Sequence, residues 1–572
     1  MKMLLRYLRP SARSMSFGLS VKVFATLLEL MLPYILSHIL DVIVPRQSIT
    51  LILLWGGAML LCAIGAYYGN VIANRNAARV ARDTSRRIRH DLFDATMHLS
   101  ARQTDRFTIP SLESRLTSDT YNVHHFIGMM QRMGVRAPML LLGGMAITLF
   151  LDWRLALILL AILPLIGIAV FAIARRGLPL YKKSQQAVDG MVRVVREDCQ
   201  GVRVVKALSR EEYEKARFDY ANTVLIDAER RAGVLMASSQ PVMSLLLHVG
   251  LSLVIGLGAV FVQGGVSAPG RIIAFMQYFT LMSTAMSVLT RIFAQYSKCM
   301  ASAGRIEEVI STVTRTECGE NAATGAENAP HIAFENVSFS YNGRRNNLKN
   351  VSFSLPRGGT LGVIGATGAG KTTLVQLLMR FYDANEGRVL VDGRDVRDFD
   401  EKELRARFGV VMQNDFIYAD TVAENIRFGR EITDAQMQAA AGIAQAAEFI
   451  EQFPEQYEHP LTTKGTNVSG GQRQRLLIAR ALAGDPEILI LDDASSALDY
   501  RTDANLRAAI KAQTHATTVI VAQRVSSVMH ADHILVLEDG AVLAAGTHEE
   551  LLAGCTAYRE ISESQMGGAF LE

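Results

Sequence analysis

Residues 361–373 read Leu-Gly-Val-Ile-Gly-Ala-Thr-Gly-Ala-Gly-Lys-Thr-Thr, an apolar run followed by a glycine-rich turn. The turn has the spacing G-x-x-x-x-G-K-T, in which backbone N–H groups converge on phosphate oxygens, the lysine reaches the β- and γ-phosphates and the hydroxyl binds Mg²⁺. Because a buried strand precedes it and a helix N-terminus follows, we predict a phosphate-binding loop in an α/β domain. The predicted ATP contacts here are Gly365, Ala366, Thr367, Gly368, Ala369, Gly370, Lys371, Thr372 and Thr373.

A second apolar run, Ile488–Asp492, lies downstream of this loop and ends in an acidic residue. Enzymes with a phosphate-binding loop hold Mg²⁺ through an aspartate at the end of such a strand, together with the hydroxyl of the loop. We therefore predict that Asp492 and Thr372 bind Mg²⁺. Residues 331–341 alternate apolar and polar side chains, which is typical of a half-buried strand and places the domain's start near residue 331.

The residues before about position 300 follow a different pattern. Of the whole chain, 49% is hydrophobic, and the apolar residues concentrate in stretches of about 20 residues, which is long enough to cross a bilayer. The loops 75–136 and 175–231 are long and rich in arginine, so they and both termini are predicted to be cytosolic, with the loops as helical extensions of the spans. The six predicted spans are Met15–Leu40, Leu51–Ala73, Met130–Leu151, Trp153–Ala174, Met236–Val262 and Ile272–Tyr296.

These patterns predict a membrane all-α domain of six helices with long cytosolic extensions (1–313), a linker rich in Gly, Ala, Glu and Asn (314–330) and an α/β nucleotide-binding domain (331–572). The net charge of +4 includes no polybasic run, so we predict no nucleic-acid partner. The five cysteines show no CxxC pair and no metal-binding spacing.

Further motifs make the domain resemble a known family. Residues 468–475, Val-Ser-Gly-Gly-Gln-Arg-Gln-Arg, are similar to the signature of ATP-binding cassette (ABC) proteins. Gln413 resembles the Q-loop, Ser496–Asp499 resembles the D-loop, and Tyr341 stands where the family places an aromatic residue against adenine. Because residues 114–119 and 201–207 also resemble the cytosolic loops of ABC exporters, the resemblance to an exporter half-transporter covers nearly the whole chain.

The resemblance implies that two cassettes meet head to tail and enclose two ATP molecules. Each nucleotide would lie between the phosphate-binding loop of one cassette and the signature of the other, with Gln413 joining Thr372 and Asp492 at Mg²⁺. Short coupling helices, expected near Arg115–Tyr121 and Gln200–Leu208, would transmit closure to the membrane domain. The implied contacts with the second half-transporter's ATP are Ser469, Gly470, Gly471 and Gln472, with Asp499 in the D-loop.

Two positions depart from the family pattern. Asp493 stands where the family has a glutamate that orients the attacking water, and Gln523 stands where it has a histidine near the γ-phosphate. A misplacement of about 1 Å, such as the missing methylene produces, can lower a rate roughly 100-fold, and glutamine cannot titrate. These departures indicate a site that binds ATP but hydrolyses it slowly, paired with a different chain that has the intact glutamate and histidine.

Several alternatives remain open at this point. The chain could export a substrate across the cytoplasmic (inner) membrane as half of a heterodimer, act as an ATP-gated regulatory subunit, form a homodimeric exporter in which Asp493 works, or import. Drugs, lipids and peptides all remain possible substrates. Glu29 and His248 fall near the middle of their spans, where an ionisable side chain contacts either a substrate or another helix. Lys22 and Asp41 fall near span ends and are expected to reach the membrane interface.

Overall fold

The computed structural model describes residues 2–312 and 329–566. It divides into one compact unit of Met1–Leu99 and Phe107–Val313 and a second of Ser100–Arg106 and Thr314–Glu572. The predicted linker lies outside the described residues except for its last two positions. Within the described ranges, Cys62, Cys199, Cys299 and Cys555 are free thiols.

Helices make up the described part of the N-terminal half, and six helical segments in it are long and apolar enough to cross a membrane. The prediction of six spans is therefore confirmed. The longest helices have 49 and 55 residues, about 70–80 Å at about 1.5 Å per residue, so they extend far beyond a hydrocarbon core of about 30 Å. The helices are α1 Lys2–Leu8, α2 Ala12–His38, α3 Ile49–Met97, α4 Ala101–Phe107, α5 Ile109–Ser114, α6 Thr120–Met133, α7 Arg136–Leu151, α8 Trp153–Ala207, α9 Glu211–Ala237, α10 Ser239–Gln263 and α11 Pro269–Thr312.

Residues of α2, α7, α8, α10 and α11 pack into one apolar cluster. In this cluster the buried Tyr278 of α11 donates its hydroxyl proton to the Leu30 carbonyl of α2 at 2.6 Å. This bond gives the phenol hydroxyl a hydrogen-bond partner where it is shielded from water. The tight corner between α7 and α8 is built by Asp152, whose carboxylate accepts the Arg154 backbone N–H at 3.1 Å. This N-cap allows α8 to begin immediately after α7 ends.

The expected position of the first coupling helix is wrong. The chain turns between α3 and α5, where the short helix α4 lies, whereas Arg115 and Asp119 are buried in the helical segment that returns toward the membrane. Asp119 accepts from Arg305 Nε at 2.8 Å, and Arg115 donates to the Arg305 carbonyl at 2.8 Å. Arg115 and Asp119 therefore pair with α11 and do not form an exposed tip of the cytosolic loop. Residues 200–207 close α8, next to the second turn.

The C-terminal unit contains two sheets. A sheet of four antiparallel strands has the order β2-β1-β4-β5, and a sheet of six has the order β10-β9-β3-β8-β7-β6. The strands are β1 Ile332–Phe339, β2 Leu348–Leu355, β3 Thr360–Gly365, β4 Glu386–Val391, β5 Arg394–Asp395, β6 Phe408–Val411, β7 Ile488–Asp492, β8 Thr517–Ala522, β9 His533–Glu538 and β10 Ala541–Gly546. The helices are α12 Lys371–Leu378, α13 Glu401–Ala406, α14 Val422–Arg427, α15 Asp434–Ile443, α16 Ala447–Ile450, α17 Gly470–Leu482, α18 Tyr500–Gln513, α19 Val525–Val528, α20 His548–Gly554 and α21 Thr556–Met566.

The larger sheet positions the predicted site. Strands β9, β3, β8, β7 and β6 run parallel, and every residue of β7 is buried, as its continuous apolar sequence predicts. The carboxyl ends of parallel strands meet at one edge, which is where open α/β sheets bind ligands. Gly365, Asp492 and Ala522 end three adjacent strands at this edge.

Candidate nucleotide site

The phosphate-binding loop joins β3 to α12. Gly370 precedes α12 with φ of 100°, and a Cβ there would lie 2.7 Å from the Asn347 carbonyl oxygen, so only glycine fits. Lys371 Nζ donates to the carbonyls of Gly365 and Ala366 at 2.7 and 3.0 Å. The ammonium group is thus held over the loop, where it can meet phosphate oxygens, and burial lowers its pKa.

A cavity of about 180 Å³ opens at this edge of the sheet. It brings together residues that are distant in sequence, from Asn347 to Gln523, which come from the loop, the ends of β6, β7 and β8, and the start of α12. Its lining is Asn347, Thr367, Gly368, Gly370, Lys371, Thr372, Thr373, Gln413, Asp492, Asp493, Val521, Ala522 and Gln523. Asn347 was not predicted, because an asparagine in a polar stretch before β2 gives no signal of its own.

The predicted Mg²⁺ ligands meet in this cavity. Asp492 is 1% exposed, and its Oδ2 accepts no hydrogen bond from any residue that the structure describes. A buried carboxylate oxygen without a partner is costly, and a bound cation would satisfy it. With the Thr372 hydroxyl and Gln413 lining the same cavity, the donor set is all oxygen, which fits Mg²⁺. Burial raises the pKa of Asp492, and the nearby Thr372 hydroxyl and Lys371 partly oppose that shift.

Asp493 and Gln523, the two positions that depart from the family pattern, contact each other. Asp493 has φ of 55°, and its backbone N–H donates to the Val521 carbonyl at 2.8 Å, which fixes it beside the end of β8. Gln523 Nε2 donates to Asp493 Oδ2 at 3.4 Å. Burial raises the pKa of Asp493, while Lys371 and Arg524 favour its ionised form. The carboxylate therefore lies in the cavity wall with one oxygen engaged by an amide.

Tyr341 lies beside the loop, in a neighbouring cavity. Its hydroxyl donates to Thr373 Oγ1 at 3.2 Å, or to Gln376, and its ring meets Phe339 and Tyr382 edge-on. With 41% of its surface exposed, Tyr341 can offer a ring face to an adenine. Burial raises the pKa of its phenol, so the hydroxyl stays protonated.

The signature residues are not part of the cavity lining. Ser469 caps α17 through a capping box, in which Ser469 Oγ accepts the Gln472 N–H at 3.2 Å and the Gln472 side chain accepts the Ser469 N–H at 2.9 Å. Ser469 and Gly470 are exposed, and Gly471 follows in the first turn of α17. Asp499 caps α18 by accepting the Thr502 N–H at 2.9 Å.

The two ionisable residues predicted at mid-membrane depth have different surroundings. Glu29 of α2 accepts from Arg136 Nε of α7 at 3.1 Å and from its Nη2 at 2.5 Å. Glu29 also lines a cavity of about 520 Å³ with residues of α11, including Gln277 and Thr280. His248 is exposed and is not in the described lining of that cavity. The structure therefore does not bring Glu29 and His248 together.

The expectation that Lys22 reaches the membrane interface is wrong. Lys22 is 3% exposed, and its Nζ donates to Asn70 Oδ1 at 2.6 Å and to Asn74 Oδ1 at 3.2 Å on α3. These polar partners make burial possible. Asp41 accepts the Gly270 N–H at 2.6 Å and so joins the ends of two membrane helices.

The fold and the cavity together define a polytopic membrane protein with one ATPase domain built around a phosphate-binding loop. Comparisons with known proteins agree. The family model for the ABC transporter transmembrane region matches residues 15–286, and the model for the ABC transporter domain matches residues 348–496. An ABC transporter ATP-binding protein of Mycobacterium tuberculosis is 34% identical over 98% of each chain, and YfiB of Bacillus subtilis is 33% identical over 99% of each.

Two further matches concern export. YgaD of Bacillus subtilis, a putative multidrug export ATP-binding/permease protein, is 31% identical over 98% of each chain. The structure of a bacterial Atm1-family ABC exporter with ATP bound matches with a TM-score of 0.81 and 25% identity, covering 98% of this chain and 99% of that one. The chain belongs to the ABC transporter family and has the exporter fold. It is a multi-pass membrane ATPase of a class that works as a dimer in the bilayer.

Proposed function

We propose that this chain is one half of a heterodimeric ABC exporter in the cytoplasmic membrane, with both termini cytosolic. Its own nucleotide site binds Mg²⁺–ATP and hydrolyses it slowly, while its signature completes the faster site of a different half-transporter. The observation that carries the proposal is the pair formed by Asp493 and Gln523 in the wall of the phosphate cavity.

Residues suited to binding Mg²⁺–ATP lie around that pair and support the proposal. Lys371 supplies a cation over the loop, and Thr372, Gln413 and Asp492 supply oxygens for Mg²⁺. When bound, Mg²⁺ neutralises charge on the β- and γ-phosphates. Binding therefore does not depend on the two altered positions.

Hydrolysis does depend on them, because phosphoryl transfer requires a positioned water and stabilised charge on the γ-phosphate. One carboxylate oxygen of the short Asp493 side chain accepts a hydrogen bond from the Gln523 amide. The amide therefore competes with a water molecule for that oxygen. Gln523 still has an N–H to offer a phosphate, but it cannot carry a positive charge. Both features favour retention of ATP over turnover.

The signature supports a partner chain. Ser469 and Gly470 are exposed at the N-terminus of α17, where the 13-residue helix directs its positive potential outward. These residues lie apart from the chain's own phosphate cavity, so the ATP that they contact is the one bound by the opposite cassette.

The test compares steady-state ATPase rates of the purified chain alone and of the chain co-expressed with a half-transporter that has glutamate and histidine at the two positions. We expect a rate near background for the chain alone and a large increase for the mixed pair. ATP binding by the chain alone is measured in parallel. Rapid turnover by the chain alone, abolished by Asp493→Asn, would contradict the proposal.

That contrary result defines the second candidate, a homodimeric exporter in which Asp493 is the working carboxylate. It is favoured by the position of Asp493 in the cavity wall and by the burial that raises its pKa, since a carboxylate with a raised pKa is a stronger base. The substrate in either case would use the membrane cavity beside Glu29.

A further inference from the structure

A second cluster of chemically active side chains lies at the opposite edge of the large sheet. His331 immediately precedes β1, Asp392 occupies the turn between β4 and β5, and Glu487 immediately precedes β7. One imidazole nitrogen and one oxygen from each carboxylate lie within 4.8 Å of one another. Because this edge holds the amino ends of β7 and β8, the cluster is separate from the phosphate cavity.

The buried histidine has one ring nitrogen engaged and one directed at the carboxylates. His331 is 1% exposed, and its Nδ1 lies 2.6 Å from Thr517 Oγ1, which also accepts the Gly358 N–H at 2.8 Å. Its Nε2 forms no hydrogen bond with any residue that the structure describes, and it lies 3.8 Å from both Asp392 Oδ1 and Glu487 Oε2. A buried polar atom without a partner is costly.

We propose that His331 Nε2, Asp392 and Glu487 form a binding site for a divalent transition-metal ion of the Zn²⁺ class. Zinc binds imidazole nitrogen and carboxylate oxygen at about 2.0–2.2 Å, which places neighbouring ligand atoms roughly 3.4 Å apart in a tetrahedron. The two distances of 3.8 Å from His331 Nε2 need to contract by only a few tenths of an ångström, and the two carboxylate oxygens already lie within 4.8 Å of each other. Nδ1–H would then donate to Thr517, the kind of outer partner that orients a ligating histidine.

Two arginines compete with a metal ion for the same oxygens. Arg357 lies 2.7 Å from Asp392 Oδ1 and 3.5 Å from Glu487 Oε2, whereas Arg407 lies 2.9 Å from Asp392 Oδ2. The Arg357 side chain is 59% exposed, so it can swing into solvent at little cost. Arg407 is 24% exposed and stays closest to Asp392 Oδ2, at 2.9 Å, with Glu487 Oε2 farther away at 3.8 Å. Arg357 therefore takes the place of the cation when no metal ion is bound.

The metal ion would connect parts of the domain that are distant in sequence. His331 and Asp392 lie at the ends of β1 and β4 in the antiparallel sheet, where the Asp392 N–H donates to the His331 carbonyl at 3.0 Å, while Glu487 leads into the parallel strand β7. A bound ion would therefore join the two sheets where the chain enters the nucleotide-binding domain. Burial lowers the pKa of His331, which keeps the imidazole neutral and able to bind a metal ion near pH 7.

The test uses Co²⁺ as an optical probe, added to the full chain in lipid nanodiscs with excess Mg²⁺ so that the nucleotide site does not take it up. We expect one saturable equivalent with visible absorbance, displaced by Zn²⁺. His331→Gln and Asp392→Asn should each weaken binding by roughly 100-fold, as loss of a ligand requires. Both variants are tested so that the result does not depend on a single variant that fails to fold.

A third variant, Arg357→Gln, gives a more specific test. It should tighten Co²⁺ binding by about tenfold because it removes the competing cation. His530→Gln, a change at an exposed histidine of the same domain, is the matched control and should leave binding unchanged. Co²⁺ binding that survives both ligand variants, an Arg357→Gln chain that binds no tighter, or the lack of any saturable equivalent would overturn the proposal.

Discussion

Tyr382 donates its hydroxyl proton to the carboxylate of Asp105, a residue of the short helix α4 that packs within the C-terminal unit. The Tyr382 ring also meets the Tyr341 ring edge-on, with ring centroids 5.0 Å apart. One side chain thus contacts both the residue proposed to stack on adenine and the helix that joins α3 to α5. Tyr382 is therefore positioned to transmit a change at the nucleotide site to α4.

Tyr382→Phe should uncouple transport from ATP binding. The phenylalanine keeps the edge-on contact with Tyr341 but loses the hydrogen bond to Asp105, and a bond to a charged acceptor contributes about 1.5–3 kcal/mol. We expect ATP affinity within about twofold of wild type and a transport rate lower by about fivefold or more. Affinity is measured with a fluorescent ATP analogue and transport in proteoliposomes.

Two further variants control that experiment. Asp105→Asn removes the charge of the same contact and should have the same effect, whereas Tyr457→Phe, at a partly buried tyrosine elsewhere in the domain, should have none. A Tyr382→Phe chain that loses ATP affinity in proportion to transport would show that Tyr382 supports the nucleotide site directly.

Lys371→Ala should abolish tight ATP binding. The lysine ammonium lies over the loop carbonyls and interacts electrostatically with the cavity's carboxylates Asp492 and Asp493. Loss of its charge-assisted bonds to phosphate should weaken affinity by roughly 30-fold or more. Equilibrium binding of a fluorescent ATP analogue measures the change. Affinity within about threefold of wild type would refute the assigned role.

The sequence predicted the features that depend on local pattern. The six spans and the strands before the phosphate-binding loop and Asp492 were found because apolar periodicity and glycine spacing are local signals. It could not predict Tyr382 or Asn347, because their roles depend on which segments the fold brings together. The coupling helix that the resemblance implied near Arg115 was misplaced for the same reason, because the pairing of Arg115 and Asp119 with α11 depends on the fold.

His331 should make stability depend on pH. Burial lowers its pKa, as do Arg357 and Arg407, while Asp392 and Glu487 oppose the shift. In the unfolded chain the imidazole takes up a proton below about pH 6.5, whereas the folded chain resists protonation until lower pH. The folded state should therefore lose stability as pH falls below about 6.5.

The measurement is the thermal midpoint of the full chain from pH 8 to pH 5, with chelator present so that no metal ion contributes. His331→Gln cannot titrate, so its midpoint should fall less steeply over the acidic part of this range. His530→Gln, at an exposed site, should follow the wild type. Parallel curves for wild type and His331→Gln would show that the buried imidazole does not control this dependence.

Asp493 and Gln523 should together limit hydrolysis at this chain's own site. Asp493→Glu moves the carboxylate outward by one methylene, about 1 Å, toward the position where a water would be oriented. Gln523 would still engage one oxygen and carry no charge, so the single change should raise turnover only slightly. Asp493→Glu with Gln523→His should raise the ATPase rate of the chain alone by about tenfold or more.

The same pair of positions should matter little in the mixed dimer. Asp493→Asn should change the rate of the heterodimer by less than about twofold, because most turnover occurs at the partner's site. Removing the partner's glutamate should nearly abolish it, and Lys371→Ala in the doubly substituted chain should return its rate to background, which shows that the gained activity uses this cavity. If the double substitution leaves the isolated chain inactive while ATP still binds, Asp493 and Gln523 are not what limits hydrolysis at this site.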